Sequence, residues 1–218
     1  MGIIKRMPPV QENHQSTAVI NVSRRRFLQG TTGLALGIYL APLIGGSANA
    51  TAATTQADFV PNAFVRIDSD GTVTVVAKHL EMGQGTYTGL ATLVAEELDA
   101  DWSRVRVEGA PADAERYKNL AFGMQGTGGS TAIANSYEQM RTAGATARAM
   151  LVAAAAARWG APAASLAVSQ GMVRHAESGR EAGFGELAEA AAEQPVPQNV
   201  ALKKPADFTL IGTLKTPR

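Results

Sequence analysis

From residue 63 onward, apolar and polar positions fall into short regular patterns. Ala63-Phe64-Val65-Arg66-Ile67-Asp68 alternates as a half-buried strand does. Ser69-Asp70-Gly71 follows, and Asp-Gly supports the positive φ of a hairpin turn. Residues 72–77, rich in valine and threonine, read as the return strand. Leu90, Leu93, Val94 and Leu98 recur at i, i+3, i+4 and i+8, which puts one apolar face on a helix. Residues 104–107 read as another strand, after a loop in which Asp101 or Ser103 is placed to cap a short turn. Residues 110–122 have no period and read as loop. Residues 132–159, dense in alanine and ended by Gly160-Ala161-Pro162, form the longest helix candidate. Residues 166–175 read as a hairpin turning at Gly171, Ser178-Gly179-Arg180 as a further turn, and residues 184–187 as the start of a short alanine-rich helix. The pattern predicts an α+β fold: antiparallel hairpins packed with two or three helices.

Before residue 63 the chain is of a different kind. Residues 1–22 are polar and irregular. Arg24-Arg25-Arg26 then precedes Phe27-Leu28, an apolar glycine-containing segment covers residues 33–44, and Ala48-Asn49-Ala50 follows. A charged region, a short apolar core and an A-x-A end make an export signal, and the paired arginines point to the twin-arginine route and a periplasmic destination. The apolar run is shorter than the roughly 20 residues that span a bilayer. This divides the chain into a signal (1–50), a linker (51–62), a folded domain (63–192) and a Pro-rich, basic linker (193–218) with a last apolar patch at residues 208–212. The twin-arginine route carries folded proteins, which suits one that acquires a complex cofactor before export.

Bulk composition excludes several classes of chemistry. The formal net charge of +1 gives no electrostatic reason to expect a nucleic-acid partner. With no cysteine, this chain has no disulfide, no thiol catalysis and no iron–sulfur cluster on its own thiolates. His14, His79 and His175 lie far apart without metal-ligand spacing, so no residue is read as a metal ligand.

Two glycine-rich turns remain as candidate chemistry. Met82-Gly83-Gln84-Gly85 stands between a strand and a helix. Glycine permits close backbone approach, the helix start offers N–H groups to an anion, and Gln84 both donates and accepts. An ordinary tight turn is the competing reading. The second stretch, residues 123–131, also precedes a helix; Thr127, Ser130 and Thr131 are placed either to donate to an oxyanion or to cap that helix. A nicotinamide-dinucleotide fold is a further alternative, since Gly83, Gly85 and Gly89 follow a strand and Glu108 lies about 20 residues on. Polar residues at Lys78, His79 and Glu81, an antiparallel hairpin before the motif, and export away from the soluble nicotinamide pool all argue against it.

The runs LEMGQGTYTGLATLVAEELDADWSRVRVEGAPAD (80–113) and FGMQGTGGSTAIANSYEQMRTAGATARAML (122–151) resemble the N-terminal portion of the molybdenum-cofactor-binding subunit of the xanthine dehydrogenase family. More narrowly, they resemble its exported branch of isoquinoline 1-oxidoreductase β-subunits and aldehyde dehydrogenases. The resemblance implies that Met82, Gly83, Gln84 and Gly85 contact a molybdenum-molybdopterin, in its cytosine dinucleotide form, and that Thr127, Gly128, Gly129 and Ser130 line a second cofactor loop. It implies oxidation of an aldehyde or N-heterocycle with water-derived oxygen. Electrons would pass to a small [2Fe-2S] subunit and, in exported forms, to a c-type cytochrome that can tether the enzyme to a membrane. Family members are several times longer, and their catalytic glutamate and a further glycine loop lie downstream of anything matched here. The catalytic residue is therefore unknown. Glu81 matches no family base and is expected to be an exposed turn carboxylate. The chain alone is expected to be inactive; the alternative is a purely structural or assembly module.

Overall fold

The Asp-Gly turn behaves as its residues demand: Gly71 adopts φ 85° and the Asp68 N–H meets the Thr72 carbonyl at 2.9 Å. In the computed structural model, which describes residues 33–37 as a strand and residues 63–218 in full, this hairpin lies inside a four-stranded sheet. Its strands are β1 (Gly33–Gly37), β2 (Ala63–Asp68), β3 (Val73–Ala77) and β4 (Val105–Gly109), in that order. β1–β2 and β2–β3 are antiparallel, whereas β3–β4 is parallel. The α+β fold with antiparallel hairpins is as expected, and the further strand read at residues 104–107 joins this sheet in parallel, which makes it mixed. Helix α1 (Thr86–Leu98) makes the difference: it carries the chain back across the sheet, and a crossover of this kind delivers a parallel neighbour. β1 falls within the stretch read as the apolar core of the export signal. The remainder of that signal, and the linker at 51–62, lie outside the described residues.

A second sheet is an antiparallel meander of β5 (Leu166–Ser169), β6 (Met172–His175) and β7 (Arg180–Gly183). Gln170 (φ 48°) and Gly171 (φ 75°) are both left-handed, as a two-residue turn matching the twist of its strands requires. The sequence gives β7 no alternating pattern, and pairing with β6 creates the strand. The other helices are a single turn, α2 (Ala114–Tyr117), then α3 (Tyr137–Trp159) and α4 (Phe184–Ala192). α3 starts later than residue 132 because 132–136 form turns, with the Asn135 side chain donating to the Thr131 carbonyl. Such local side-chain bonds compete with helix. Asp101 caps the 3₁₀ turn Trp102–Arg104, accepting from the Ser103 N–H at 2.9 Å.

The core is built from Phe64, Ile67, Leu90, Leu98, Met140, Leu151, Phe184 and Leu187, all fully buried. α1 lies closely against α3. Gly144 permits this, since a Cβ there would collide with the Val94 carbonyl and lie 3.1 Å from the Glu97 Cβ.

From Leu90 to Leu98 every residue of α1 is buried, including Glu96 and Glu97. One apolar face was expected, and the reason for the difference is the C-terminal segment. Residues 193–218 contain only a 3₁₀ turn (Pro205–Asp207) as regular structure, yet they are fastened to α1. The Glu96 carboxylate accepts the N–H groups of Thr209 (3.0 Å), Leu210 (2.7 Å) and Ile211 (2.9 Å), and Lys203 Nζ lies at 3.0 Å. These N–H groups hold its pKa below the ordinary carboxylate value against the opposing effect of burial. Glu97 pairs with Arg141 at 2.6 Å and accepts the Lys203 N–H at 3.0 Å. Two buried carboxylates thus fix a strap whose regular structure is one 3₁₀ turn.

Candidate functional site

Past Ala77 the chain leaves the sheet but stays inside the protein. Lys78 is 3% and His79 is 1% exposed. Lys78 Nζ donates to the Gln139 Oε1 at 2.7 Å and to the Lys118 carbonyl at 3.3 Å, both neutral, and burial pushes its pKa down to about 8. His79 Nδ1 lies 3.1 Å from the Gly126 carbonyl, and the Leu80 N–H donates to Thr127 Oγ1 at 2.8 Å. These two adjacent bonds join the two glycine turns.

The first turn is organised by Glu81. Its carboxylate accepts the N–H groups of Gly83 (2.7 Å), Gly85 (3.0 Å) and Tyr87 (2.9 Å), which hold its pKa below the ordinary carboxylate value. The carboxylate expected to point into solvent is turned back onto the start of α1. Three of the N–H groups at this turn and helix start, those of Gly83, Gly85 and Tyr87, are therefore already satisfied from within the turn. Gly83 (φ 98°) and Gly85 (φ 82°) take the left-handed backbone that this arrangement needs. Gln84 is equally engaged: Oε1 accepts the Met82 N–H at 2.6 Å and Nε2 donates to the Leu80 carbonyl at 2.7 Å. An amide has two donor hydrogens and two acceptor lone pairs, so this exposed side chain keeps one of each for a ligand. Met82 is 72% exposed.

The second turn is tied down at its ends. Asn119 Nδ2 donates to Thr131 Oγ1 at 2.8 Å, and that hydroxyl donates to the Gly128 carbonyl at 2.8 Å. Thr127, Gly128, Gly129 and Ser130 sit in the bend between, with Gly129 (φ 59°) and Ser130 (φ 53°) both left-handed. None of the three hydroxyl residues caps α3. Its N-cap is Ser136, which makes no side-chain capping bond, and the buried Ser136 Oγ has no hydrogen-bond partner among the described residues.

Among the described residues, added Cβ atoms at Gly83, Gly85, Gly126 and Gly128 would meet nothing within 4 Å, so both turns present bare backbone there. That surface, the spare amide valences of Gln84 and the unpartnered Ser136 hydroxyl suit a large group with oxyanions and ring hydrogen-bonding edges, such as a pterin dinucleotide. The α1 N-terminus fits less well, because Glu81 fills it. Leu80, Met82, Leu120, Phe122 and Met124 stand around the turns 49–72% exposed. Among the described residues no group of three or more His, Asp or Glu is arranged to hold a metal ion.

β3, α1 and β4 form a parallel βαβ unit, and the half-exposed Glu108 pairs across the sheet with Arg66 at 2.9 Å. Sequence reasoning missed Lys78 and His79 as organising residues, and took their polarity as a sign of exposure. Polar residues continuing a buried strand directly into a glycine turn were the available signal.

The model of the molybdopterin cofactor-binding domain matches residues 17–215 of the chain. Over 171 residues it is 42% identical to the beta subunit of isoquinoline 1-oxidoreductase of Brevundimonas diminuta, covering 77% of this chain and 22% of that one. It is 29% identical over 192 residues to the membrane-bound aldehyde dehydrogenase [pyrroloquinoline-quinone] of Gluconacetobacter polyoxogenes, covering 86% and 23%. It is 33% identical over 150 residues to the B subunit of nicotinate dehydrogenase of Pseudomonas putida, covering 68% and 12%. The chain thus spans 12–23% of the length of the curated relatives it matches. Among solved structures, quinoline 2-oxidoreductase from Pseudomonas putida 86 aligns with TM-score 0.45 at 24% identity, over 66% of this chain and 19% of that one.

Proposed function

The chain belongs to the molybdopterin cofactor-binding domain family, and from that premise we propose that it forms the N-terminal part of the molybdopterin-binding subunit of an exported molybdenum hydroxylase acting on an aldehyde or an N-heterocycle. The observation that carries this reading is the joining of the two glycine turns by the Leu80–Thr127 and His79–Gly126 bonds. Gly83, Gly85, Gly126 and Gly128 would let the cofactor lie against backbone, while Gln84 and Ser130 would orient its polar edges. When bound, the cofactor, in its cytosine dinucleotide form, supplies a two-electron oxidation with oxygen drawn from water. The residues of this chain bind and orient; none is assigned a proton transfer, and Glu81 acts as the cap of α1. The relatives' names support the substrate class, being those of an isoquinoline, an aldehyde and a nicotinate oxidoreductase. A small [2Fe-2S] subunit would accept the electrons and a c-type cytochrome would pass them on, associating the enzyme with the membrane in the periplasm. No helix among the described residues is long and apolar enough to cross a membrane. Export would depend on Arg24 and Arg25.

The exposed apolar residues around the turns suit burial under further polypeptide of the same subunit. They also fit the second reading, an assembly module that docks without holding cofactor. Substitution of Gly128 separates the two, since a side chain there meets nothing within 4 Å of its Cβ in this fold. In the enzyme purified from its source, Gly128→Val should leave the thermal melt of the domain unchanged and abolish pterin and molybdenum retention. Full retention in the variant, or a wild-type protein without pterin, would refute the cofactor role and leave the assembly reading.

A further inference from the structure

Each nitrogen of the His79 ring meets a partner that can play only one role. Nδ1 is 3.1 Å from the Gly126 carbonyl, which can only accept, so Nδ1 carries the proton. Nε2 is 3.4 Å from Asn135 Nδ2, which can only donate, so Nε2 is bare. The Asn135 amide is itself oriented, with Nδ2 on the Thr131 carbonyl and Oδ1 accepting from the Leu120 N–H at 3.4 Å. Three elements therefore agree on one neutral tautomer: the end of β3, the 126–131 turn and the approach to α3. The ring is 1% exposed and lies where the two glycine turns are joined.

A second proton has no place in this arrangement. It would enter on Nε2 and face the Asn135 N–H, donor against donor. The charge acting on the ring among the described residues is that of Lys78, a like charge on the preceding residue. The facing elements present neutral groups: the Gly126 carbonyl and Asn119 from the loop, and Asn135 and Gln139 from the α3 side. Burial, then Lys78, holds the imidazole below its ordinary pKa, so the ring is neutral near pH 7 and takes up a second proton only in more acid solution than a free histidine does.

We propose that His79 is a positioning residue whose neutral Nδ1–H form clasps the 126–131 turn onto the 79–85 turn, and whose protonation opens that clasp. The clasp stands on this chain alone. Its consequence, release of a pterin dinucleotide from between the turns in acid, rests on the function proposed above. The same device gives the site a loading requirement: the cofactor must be seated while the ring is neutral.

The test is made on the full 218-residue chain, with imidazole nitrogen NMR for the tautomer and amide hydrogen exchange at Leu80 for the clasp, since Leu80 N–H donates to Thr127. Wild type should show Nδ1–H at neutral pH and lose Leu80 protection by about tenfold as pH is lowered from neutrality until the same spectra report the ring protonated, the worth of roughly one net hydrogen bond. His79→Asn, which keeps a side-chain N–H near the Nδ1 position and does not titrate, should hold protection across that range. His79→Ala should lack it at every pH. An Nε2–H tautomer, an acid loss in His79→Asn equal to that of wild type, or full protection in His79→Ala would each overturn the clasp. If the exchange results are as expected while the purified wild-type enzyme and its His79→Asn and His79→Ala variants retain pterin equally in acid, the clasp stands and its consequence, release of the cofactor, fails; a wild-type enzyme that carries no pterin at any pH would instead fail the cofactor reading.

Discussion

The Glu81 carboxylate and the Tyr87 N–H, six residues apart, are bonded at 2.9 Å. This bond sets the direction in which α1 leaves the glycine turn. It also means that the anion suited to that helix start is supplied by the chain itself. Glu81→Gln should lower the melting temperature at pH 7 and free backbone N–H groups for an external anion, so that inorganic phosphate stabilises the variant more than wild type. The carboxylate's pKa is depressed in the folded state, so its contribution is complete above the ordinary glutamate pKa and fades as pH falls through the folded value. Thermal melts with and without phosphate, at neutral and acid pH, measure both effects. Equal phosphate responses would show that the helix start is closed for another reason.

Glu96 carries the strap. Its removal leaves the N–H groups of Thr209, Leu210 and Ile211 and the Lys203 ammonium without their shared acceptor. Breaking a buried, hydrogen-bonded charge pair costs about 3–5 kcal/mol. Glu96→Ala should lose that much in urea unfolding and become sensitive to limited proteolysis between residues 203 and 211, while wild type resists.

Lys78 is a buried cation held by neutral acceptors. Its pKa of about 8 in the fold, against about 10.4 for a free lysine, makes the charged form cost about 3 kcal/mol below pH 8. The folded state binds fewer protons than the unfolded chain between those values, so this contribution to stability improves as pH rises from about 8 to about 10.4. The stability of Lys78→Met relative to wild type should therefore fall by about 3 kcal/mol from neutral pH to about pH 10.4. Urea melts of both proteins across that range measure it, and a constant difference would show that the ammonium is solvated.

Gly144 is the point of closest approach between α1 and α3. Gly144→Val drives methyl groups against the Val94 carbonyl and the Glu97 Cβ, which should cost about 1–3 kcal/mol or more through helix displacement. Gly160→Ala serves as a control, because a Cβ there meets no neighbour within 4 Å and its penalty comes from φ 62° alone.

Local chemistry determined much of this protein directly. The Asp70-Gly71 and Gln170-Gly171 turns, the spacing of Leu90, Leu93, Val94 and Leu98, and the paired glycine motifs each act over a few residues, where backbone sterics and side-chain period decide the outcome. These are enough to read the hairpins, the helices and the location of the candidate site. Tertiary structure decided what depends on partners distant in sequence. Whether β4 lies parallel to β3, and whether residues 180–183 become a strand, depends on neighbours that local pattern does not name. Glu96 and Glu97 look like the solvent side of a helix until a segment more than 100 residues later covers them. Lys78 and His79 look exposed for the same reason, because a polar side chain is buried only when its partners arrive, and theirs come from residues 118–139. The sequence by itself settled the positions of the glycine turns; only the folded chain could join them, since the bonds that do so link Leu80 to Thr127 and His79 to Gly126 across nearly fifty residues.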